Sequence, residues 1–373
     1  MTRLSLEGPA AGLGRPLALL AAAAALIGVA ALCVALLLGR AAVAFAALDA
    51  AFLFFGGLAA GSVALAAAVR IAHGGWARPI LPIALAGEAF FGPSLVLLLV
   101  LALGAHAFIP WTGGAGAGRL AGLWVRLLLP SAALFLLGWR FVGRARDPQA
   151  DDGRVRASAV LYAFAYAVAL SFWAYDLVMG LAGGPPATVV PAYYFIGAFL
   201  SGFAWIALVA AVRDVSGPDL RHDVGKLLFG FIVVWTYLLW SLFLPTWYGN
   251  IPEESAALLA RWQGPYRPVS EAVLVAVFVW PFWLLFSERM KRRRETLAIG
   301  SATVLLGLGA ERFLLVLPSL HVPGGALAFV VGAGITAGVA GLFLLSVGAR
   351  MGAARSDVPR AGWPESSLGA SHG

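Results

Sequence analysis

The sequence predicts an all-α integral membrane protein with about ten transmembrane helices, and two observations predict it. Hydrophobic residues make up 61% of the 373 residues and charged residues only 12%, a balance typical of membrane proteins and not of water-soluble ones. Apolar runs of about twenty residues recur along the whole chain, and at about 1.5 Å per residue such a helix spans a hydrocarbon layer. Because lipid offers the backbone no hydrogen-bonding partner, each run must be helical.

The apolar runs place ten spans in the segment 17–347. The first span could be mistaken for a signal peptide, but its run of about 22 apolar residues is too long and no convincing cleavage site follows it. We therefore expect a membrane helix there. The predicted spans are 17–38, 43–69, 80–108, 120–142, 157–178, 189–212, 227–247, 269–286, 297–317 and 325–347.

Lysine and arginine are distributed unevenly between the two sides of these spans. The amino-terminal tail, every second loop and the carboxy-terminal tail carry 20 of the 26 basic residues, and the loops of the other side carry five. Because positively charged loops are retained in the cytoplasm, both tails, 1–16 and 348–373, are predicted to be cytoplasmic, the second being flexible. The net charge of +8 is explained by helix ends beside lipid headgroups, so we expect membrane lipid and no nucleic acid as partner.

Cysteine and histidine limit the chemistry that the chain could carry out alone. Cys33 is the only cysteine, which excludes iron–sulfur clusters, covalently attached haem and disulfides within the chain. The five histidines lie at span edges, in loops or in the tail, so no pair is placed to hold a haem inside the bilayer. We expect no metal or cofactor bound by this chain, and any redox centre to belong to partner subunits.

A repeat relates the second span to the sixth at a constant offset, although four matches in a glycine- and alanine-rich sequence could also arise by chance. An even number of helices between equivalent positions makes the repeats parallel, related by an axis along the membrane normal. Two four-helix bundles follow, about 43–178 and 189–317, with the first and tenth spans flanking them. The matched residues are Phe54, Gly56, Gly61 and Ala66 in the first copy and Phe195, Gly197, Gly202 and Ala207 in the second.

Ionisable residues inside apolar spans are the main candidates for chemistry, because a charge near the bilayer centre is costly and usually faces a cavity or a partner. Asp49 and Asp176 lie near the predicted outer ends of their helices and could occupy one layer. A desolvated carboxylate there suits accepting a proton and passing it outward. The alternative for each is a hydrogen bond between helices.

Three further charged residues lie within the spans. Glu88 enters from the cytoplasmic side, so with the outer acids it would define two half-paths for protons. Alternatively, Glu88 pairs with a basic residue such as Arg70 or Lys226. Glu311 and Arg312 are adjacent on one helix, so we expect them to point to different faces and to meet separate partners in a structural role.

The seventh span carries the most distinctive motifs. It opens with His222-Asp223-Val224-Gly225-Lys226 on the predicted cytoplasmic side. Trp247 and Tyr248 at its other end fit an ordinary interfacial aromatic belt, whereas Trp235 and Tyr237 lie deeper. The residues of this region that we consider as motif or pocket candidates are His222, Asp223, Lys226, Trp235, Tyr237, Trp247, Tyr248, Glu253 and Glu254.

These motifs resemble those of the second, smaller polysulfide-reductase-type (NrfD-like) membrane subunit of bacterial alternative complex III, a quinol:cytochrome c oxidoreductase. The resemblance covers nearly the whole chain in order. It also includes 172–179, the following helix 193–202, and His73-Gly74-Gly75 leading to Glu88. It implies ten helices in two bundles, a proton route through Glu88 and Asp176, quinol as a possible substrate, and a place in the bacterial inner membrane.

The resemblance further implies partner subunits in respiratory electron transport. These are a sister NrfD-like membrane subunit, an iron–sulfur protein and c-type cytochromes, which carry the iron–sulfur clusters and haem c. Two departures from the family pattern favour the sister subunit for the productive quinol site: segment 181–184 lacks an aspartate, and Leu242 stands where a glutamine is expected.

Two rival interpretations stay open. One is the quinol-interacting membrane anchor of a molybdopterin oxidoreductase, which neighbouring genes would distinguish. The other is a secondary transporter, against which stand the parallel repeat and the lack of an obvious pair of broken helices.

Overall fold

The computed structural model describes residues 14–112, 116–182, 188–215, 217–249, 251–320 and 325–353. Within these ranges there is no strand, and ten helices are long and apolar enough to cross a membrane, which confirms the all-α integral membrane class. Residues 1–13 and 354–373 lie outside the described residues, so the predicted flexible tail, 348–373, is described only at 348–353, where the chain is helical. The ten helices are α1 (Arg15–Leu37), α2 (Ala41–Ile71), α3 (Gly75–Leu103), α4 (Ala117–Arg146), α5 (Asp152–Ala182), α6 (Val190–Val212), α7 (Pro218–Gly249), α8 (Gly264–Phe286), α9 (Arg294–Leu320) and α10 (Ala326–Gly352).

Three of these helices change geometry part-way. α3 is a 3-10 helix at Gly75–Ile80 and again at Ala86–Phe90. α5 and α8 each contain a π-helical turn, at Tyr175–Met179 and at Val275–Val279. Such turns shift the side chains that follow them relative to a regular helix, and π turns are found frequently at functional sites.

α7 is longer than its predicted apolar run because polar turns extend it at the predicted cytoplasmic end. It begins at Pro218, a residue whose fixed φ favours the first turn of a helix. A shorter helix, Pro252–Trp262, here named the connecting helix, joins α7 to α8. It is amphipathic and does not cross the membrane, and it returns the chain across the end of the second bundle.

α2 and α6 pack along the centre of the molecule, and residues at equivalent positions of the predicted repeat lie opposite each other. The Tyr194 hydroxyl donates a hydrogen bond of 3.0 Å to the Leu53 carbonyl, across a sequence separation of 141. One turn further along each helix, a Cβ added at Gly57 would lie 3.0 Å from the Cβ of Ala198. Because successive turns keep the same offset, the two helices run parallel on either side of an axis, as the repeat predicts.

The tightest contact of these two helices lies one turn further on, at Gly61 and Gly202, and is here named the glycine seam. A Cβ added at Gly202 would lie 2.3 Å from the Ser62 backbone nitrogen, and one at Gly61 would lie 2.3 Å from the Ala198 carbonyl oxygen. No side chain fits between the backbones at this point. Close approach of this kind increases dispersion contacts between membrane helices, where apolar burial alone drives little association.

The remaining helices are arranged around this centre as two four-helix bundles and a flanking pair. α2 to α5 form bundle one, α6 to α9 form bundle two, and α1 packs along α10. The pair α1 and α10 is joined by a second close crossing, where a Cβ added at Gly28 would lie 2.4 Å from the Cα of Gly338. The opposite face of α1 exposes leucines such as Leu19, Leu26 and Leu37, as expected for a helix in contact with lipid.

Candidate functional site

Asp176 lies at the π-helical turn of α5 and is buried. Arg126 of α4 binds it through two nitrogens, with Nη2 2.8 Å from Oδ1 and Nε 3.2 Å from Oδ2. The guanidinium of Arg126 also lies 5.9 Å from the centre of the Tyr175 ring. The side chain of Arg126 is 36% exposed, so the ion pair joins a buried carboxylate to a cation at the protein surface.

Glu88 lies in the 3-10 turn Ala86–Phe90 of α3, at the opposite end of bundle one, and is also buried. Arg146 of α4 and Arg350 of α10 both bind it, and Nη2 of Arg350 lies 2.7 Å from Oε1. The alternative prediction that Glu88 pairs with a basic residue is confirmed, with Arg146 and Arg350 as the partners, whereas Arg70 binds Asp152 and Lys226 lies 3.1 Å from Asp223. Glu88 thereby ties α10 to bundle one.

Asp49 of α2 is fully buried, and neither of its carboxylate oxygens receives a hydrogen bond from the described residues. One turn further along α2, Phe52 contacts Trp173 of α5 with ring centres 4.7 Å apart. Asp176 follows Trp173 by one turn, so the two acids lie at similar depth on neighbouring helices, as predicted. No direct contact between them is present among the described residues.

The motif of α7 is divided between two environments. His222 and Asp223 are half-buried and the Lys226 side chain is more than half exposed, near the predicted cytoplasmic end. Gly225 of this motif faces Lys291, the side chain of which would lie 3.0 Å from an added Cβ. These residues form a surface junction with the short helix Glu288–Lys291 and line no cavity among those described.

The aromatic residues at the other end of α7 fit the interfacial belt. Trp247 and Tyr248 are exposed, Tyr248 to 85%, and Tyr237 is exposed as well. Tyr237 therefore faces outward and not into a pocket. The side chains of Glu253 and Glu254 lie outside the described residues, as does Asn250 between α7 and the connecting helix. Of the candidates in this region whose side chains the structure describes, only Trp235 is fully buried.

Trp235 lines a recess in bundle two that continues into a wider apolar groove, and the two together are here named the bundle-two groove. The wide part has a volume of about 260 Å³ and the inner recess about 40 Å³, and both are bounded by Leu239, Leu258, Trp262 and Leu274. The connecting helix covers one side. Thr236 is a polar lining residue of the wide part. The polar lining residues of the inner recess are Tyr193, Trp235, Arg261, Ser270 and Glu311.

Glu311 and Arg312 form the charged end of this recess. They were expected to meet separate partners, and they do so in Tyr194 and Tyr193, but Arg312 Nη1 also lies 2.9 Å from Glu311 Oε2. The geometry of this contact is that of a charge contact and not of a hydrogen bond, and the hydroxyl of Tyr193 also interacts with the Glu311 carboxylate. The guanidinium of Arg312, which is fully buried, lies 4.6 Å from the centre of the Tyr194 ring and gains a cation–π contact.

Sequence reasoning missed part of this constellation for identifiable reasons. Glu311 is a carboxylate inside an apolar span, a pattern that indicates a functional site, but the adjacent arginine suggested a structural role. Arg261 lies in a loop between spans, and only the fold of the connecting helix brings it back into the bundle. Within the described ranges, no group of three or more His, Cys, Asp or Glu residues is placed to hold a metal ion.

The fold and these sites define a class: a multi-pass α-helical integral membrane protein with buried ion pairs at both ends of one bundle and a lipid-accessible groove in the other. No protein-family model matches the chain, and no curated protein matches it.

Proposed function

We propose that this chain is a membrane subunit of a quinol:cytochrome c oxidoreductase of the alternative complex III type, located in the bacterial inner membrane with both termini in the cytoplasm. It supports quinol oxidation and the associated movement of protons, and it carries out no reaction alone. Haem c and iron–sulfur clusters are carried by its partners, which are a sister NrfD-like membrane subunit, an iron–sulfur protein and c-type cytochromes.

The observation that carries this proposal is Asp176, a buried carboxylate at a π-helical turn, held by one partly exposed arginine. Oxidation of a quinol releases protons, and a carboxylate within reach of the outer surface is a suitable acceptor. While Arg126 is bound, its positive charge neutralises the Asp176 carboxylate. Rotation of the exposed Arg126 side chain toward the surface would free the carboxylate to accept a proton, and its return would release that proton outward.

Glu88 supports the proposal from the other end of bundle one. It lies at a 3-10 turn, where the helix is irregular, and its two arginine partners are partly exposed on the predicted cytoplasmic side. Asp176 and Glu88 are thus the two acids that the family resemblance matches to a proton route, and each is buried beside a cation that water can reach. Among the described residues no continuous polar path joins them, so the proposal assigns a half-path to each.

The first experiment tests the assembly. The tagged chain is purified gently from its native membrane, and its companions are identified by mass spectrometry and haem absorbance. We expect c-type cytochromes, an iron–sulfur protein and a second membrane subunit to accompany it. A chain that is stable and isolated, or that accompanies a molybdopterin enzyme, would contradict the proposal.

The second experiment tests Asp176 in the assembled complex. Asp176→Asn keeps the shape of the side chain and removes its charge, and we expect quinol oxidation to fall by about tenfold or more, the lower range for one positioned acid–base group. The matched control is Glu271→Gln, an exposed acid of α8 that pairs with Arg267 of the same helix. Unchanged turnover and unchanged proton release in Asp176→Asn would remove Asp176 from the mechanism.

A further inference from the structure

Four arginines lie at the predicted cytoplasmic ends of α4 and α5, and none of them forms a salt bridge with a carboxylate among the described residues. They are Arg140 and Arg144 of α4 and Arg154 and Arg156 of α5, and they are here named the arginine corner. α4 packs along α5, and Arg144 Nη1 donates to the Arg154 carbonyl at 3.4 Å, so the two pairs lie close together. Arg156 Nη1 donates at 3.3 Å to Nε2 of His73. This ring accepts and is therefore uncharged, so the contact leaves the charge of the arginine in place.

The aspartates closest in sequence to the arginine corner have other partners. Asp152 binds Arg70 of α2, and Asp151 caps α5 by accepting the Arg154 backbone N–H at 3.0 Å. Asp147 accepts a backbone N–H within its own turn at 2.9 Å. These carboxylates fix the connection between α4 and α5 and do not bind the guanidinium groups of the corner. The corner therefore presents an excess of positive charge.

The loop between α8 and α9 occupies the equivalent place in bundle two, and its arginines are paired with acids. Arg292 binds Asp219 at 2.5 Å and Glu288 at 3.0 Å, and Arg294 lies 3.8 Å from Asp214. The rule that retains positive charge in the cytoplasm applies to both loops and is satisfied by arginines that also bind acids. It therefore explains why arginines are present in the corner, and it does not explain why they lack carboxylate partners.

Both helices expose apolar side chains in line with the arginines of the corner. Leu136 of α4 is 62% exposed and lies one turn before Arg140. On α5, Val160 and Phe164 are 48% and 72% exposed and follow Arg156 at steps of four residues. Residues four apart share one face of a helix, so the arginines lie at the end of two apolar stripes. A long arginine side chain at such a position covers apolar surface with its stem and places its charge at the depth of the lipid headgroups.

We propose that the arginine corner binds an anionic phospholipid that carries two phosphate groups. One phosphate lies against Arg140 and Arg144, and the other lies against Arg154 and Arg156. A guanidinium group binds phosphate through two parallel hydrogen bonds, which an ammonium group does not reproduce. The acyl chains lie along the exposed stripes of α4 and α5. The proposal concerns lipid binding alone and does not depend on the proposed function.

Other anions fit this surface less well. A soluble phosphate or an acidic protein segment would neutralise the arginines but would leave the two apolar stripes without a partner. A phospholipid with one phosphate would cover one stripe and neutralise one arginine pair. Basic clusters between helices on the cytoplasmic side are known binding places for lipid headgroups, and a lipid with two phosphates and two sets of chains matches both pairs and both stripes.

The experiment titrates the full chain, purified in detergent and depleted of lipid, with tetraoleoyl diphosphatidylglycerol, and native mass spectrometry counts the bound lipid. Dioleoyl phosphatidylglycerol at equal phosphate is the comparison lipid. We expect one two-phosphate lipid per chain, bound about tenfold more tightly than the single-phosphate lipid, the effect of one further hydrogen bond between charged groups. The double substitution Arg140→Gln with Arg144→Gln is expected to weaken its binding by about tenfold or more.

The matched control is Arg289→Gln with Arg293→Gln, which removes two exposed arginines from the loop between α8 and α9. Glu288 and Glu295 lie in the same run and repel phosphate, so we expect the affinity for the two-phosphate lipid to equal that of the unmodified chain. Equal weakening by the two double variants would show a general attraction to basic surface and would overturn the corner as a site.

Two further outcomes would overturn the lipid assignment. Equal affinity for the two lipids would remove the second phosphate, and displacement of bound lipid by inorganic phosphate at the same phosphate concentration would assign the corner to a soluble anion. Arg140→Lys with Arg144→Lys keeps both charges and remains informative where the glutamine variant fails to fold. We expect its affinity to lie between those of the glutamine variant and the unmodified chain, because lysine lacks the planar fork. Binding as tight as that of the unmodified chain would contradict the paired hydrogen bonds.

Discussion

Gly202→Ala tests whether the glycine seam holds the two bundles together. The added Cβ would lie 2.3 Å from the Ser62 nitrogen and 2.5 Å from the Gly61 carbonyl carbon, and both of these are backbone atoms. Non-bonded atoms settle at roughly 3.5 Å or more, so α2 and α6 would have to separate by about 1 Å. We expect overpacking to destabilise the folded chain by about 1–3 kcal/mol, against a gain of up to about 1 kcal/mol from the higher helix propensity of alanine.

The matched control is Gly230→Ala in α7, where an added Cβ meets nothing within 4 Å. This variant has the same gain in helix propensity but no steric overlap with a neighbouring backbone. The assay is the free energy of unfolding of the detergent-solubilised chain, measured for both variants and for the unmodified protein. We expect Gly202→Ala to be less stable than the unmodified chain and Gly230→Ala to be equal to it or more stable. Equal stability of the two variants would refute the reasoning.

Three further substitutions follow from the buried polar contacts. Glu88→Gln leaves two partly exposed arginines without their carboxylate, and we expect about 1–3 kcal/mol of destabilisation, less than for a fully buried pair, measured by the same unfolding assay. Ser131→Ala removes the hydroxyl oxygen that accepts a hydrogen bond of 2.7 Å from the Trp173 indole. We expect the free energy of unfolding to fall by about 1–2 kcal/mol and the Trp173 fluorescence to shift. An unchanged spectrum would contradict the contact. Arg312→Met leaves Glu311 without its counter-ion and is expected to lower expression of folded chain more than Glu311→Gln does, as judged by size-exclusion chromatography.

The ten helices could be predicted from the sequence because lipid offers the backbone no hydrogen-bonding partner. A single apolar run of membrane-spanning length satisfies its own backbone only as a helix. The offset of 141 also predicted the parallel packing of α2 and α6, which the contact of Leu53 with Tyr194 supports. The ends of α7 were not predictable, because polar turns that continue a helix beyond the membrane have no hydropathy signal.

The ion-pair partners of the buried acids could not be predicted from the sequence, for a different reason. Spacing along one helix says which side chains share a face, but Arg126 with Asp176, and Arg350 with Glu88, come from helices far apart in the sequence. Arginine side chains reach over several ångströms, so the pairing depends on the angles at which helices cross. Tyr237 was a pocket candidate because of its depth along the helix, but depth does not tell which face of a helix a residue occupies, and Tyr237 is exposed.

The glycine seam has a mechanical consequence for the rival transporter. Alternating access requires one half of the molecule to rock against the other around a central substrate site. Here the backbones of the two bundles are in contact at the glycine seam, and the Tyr194 hydroxyl donates a hydrogen bond to the Leu53 carbonyl about two turns away. Tilting one bundle against the other would therefore bring backbone atoms into collision. The two bundles therefore form one closely packed block, which argues against a transport cycle that moves one bundle relative to the other.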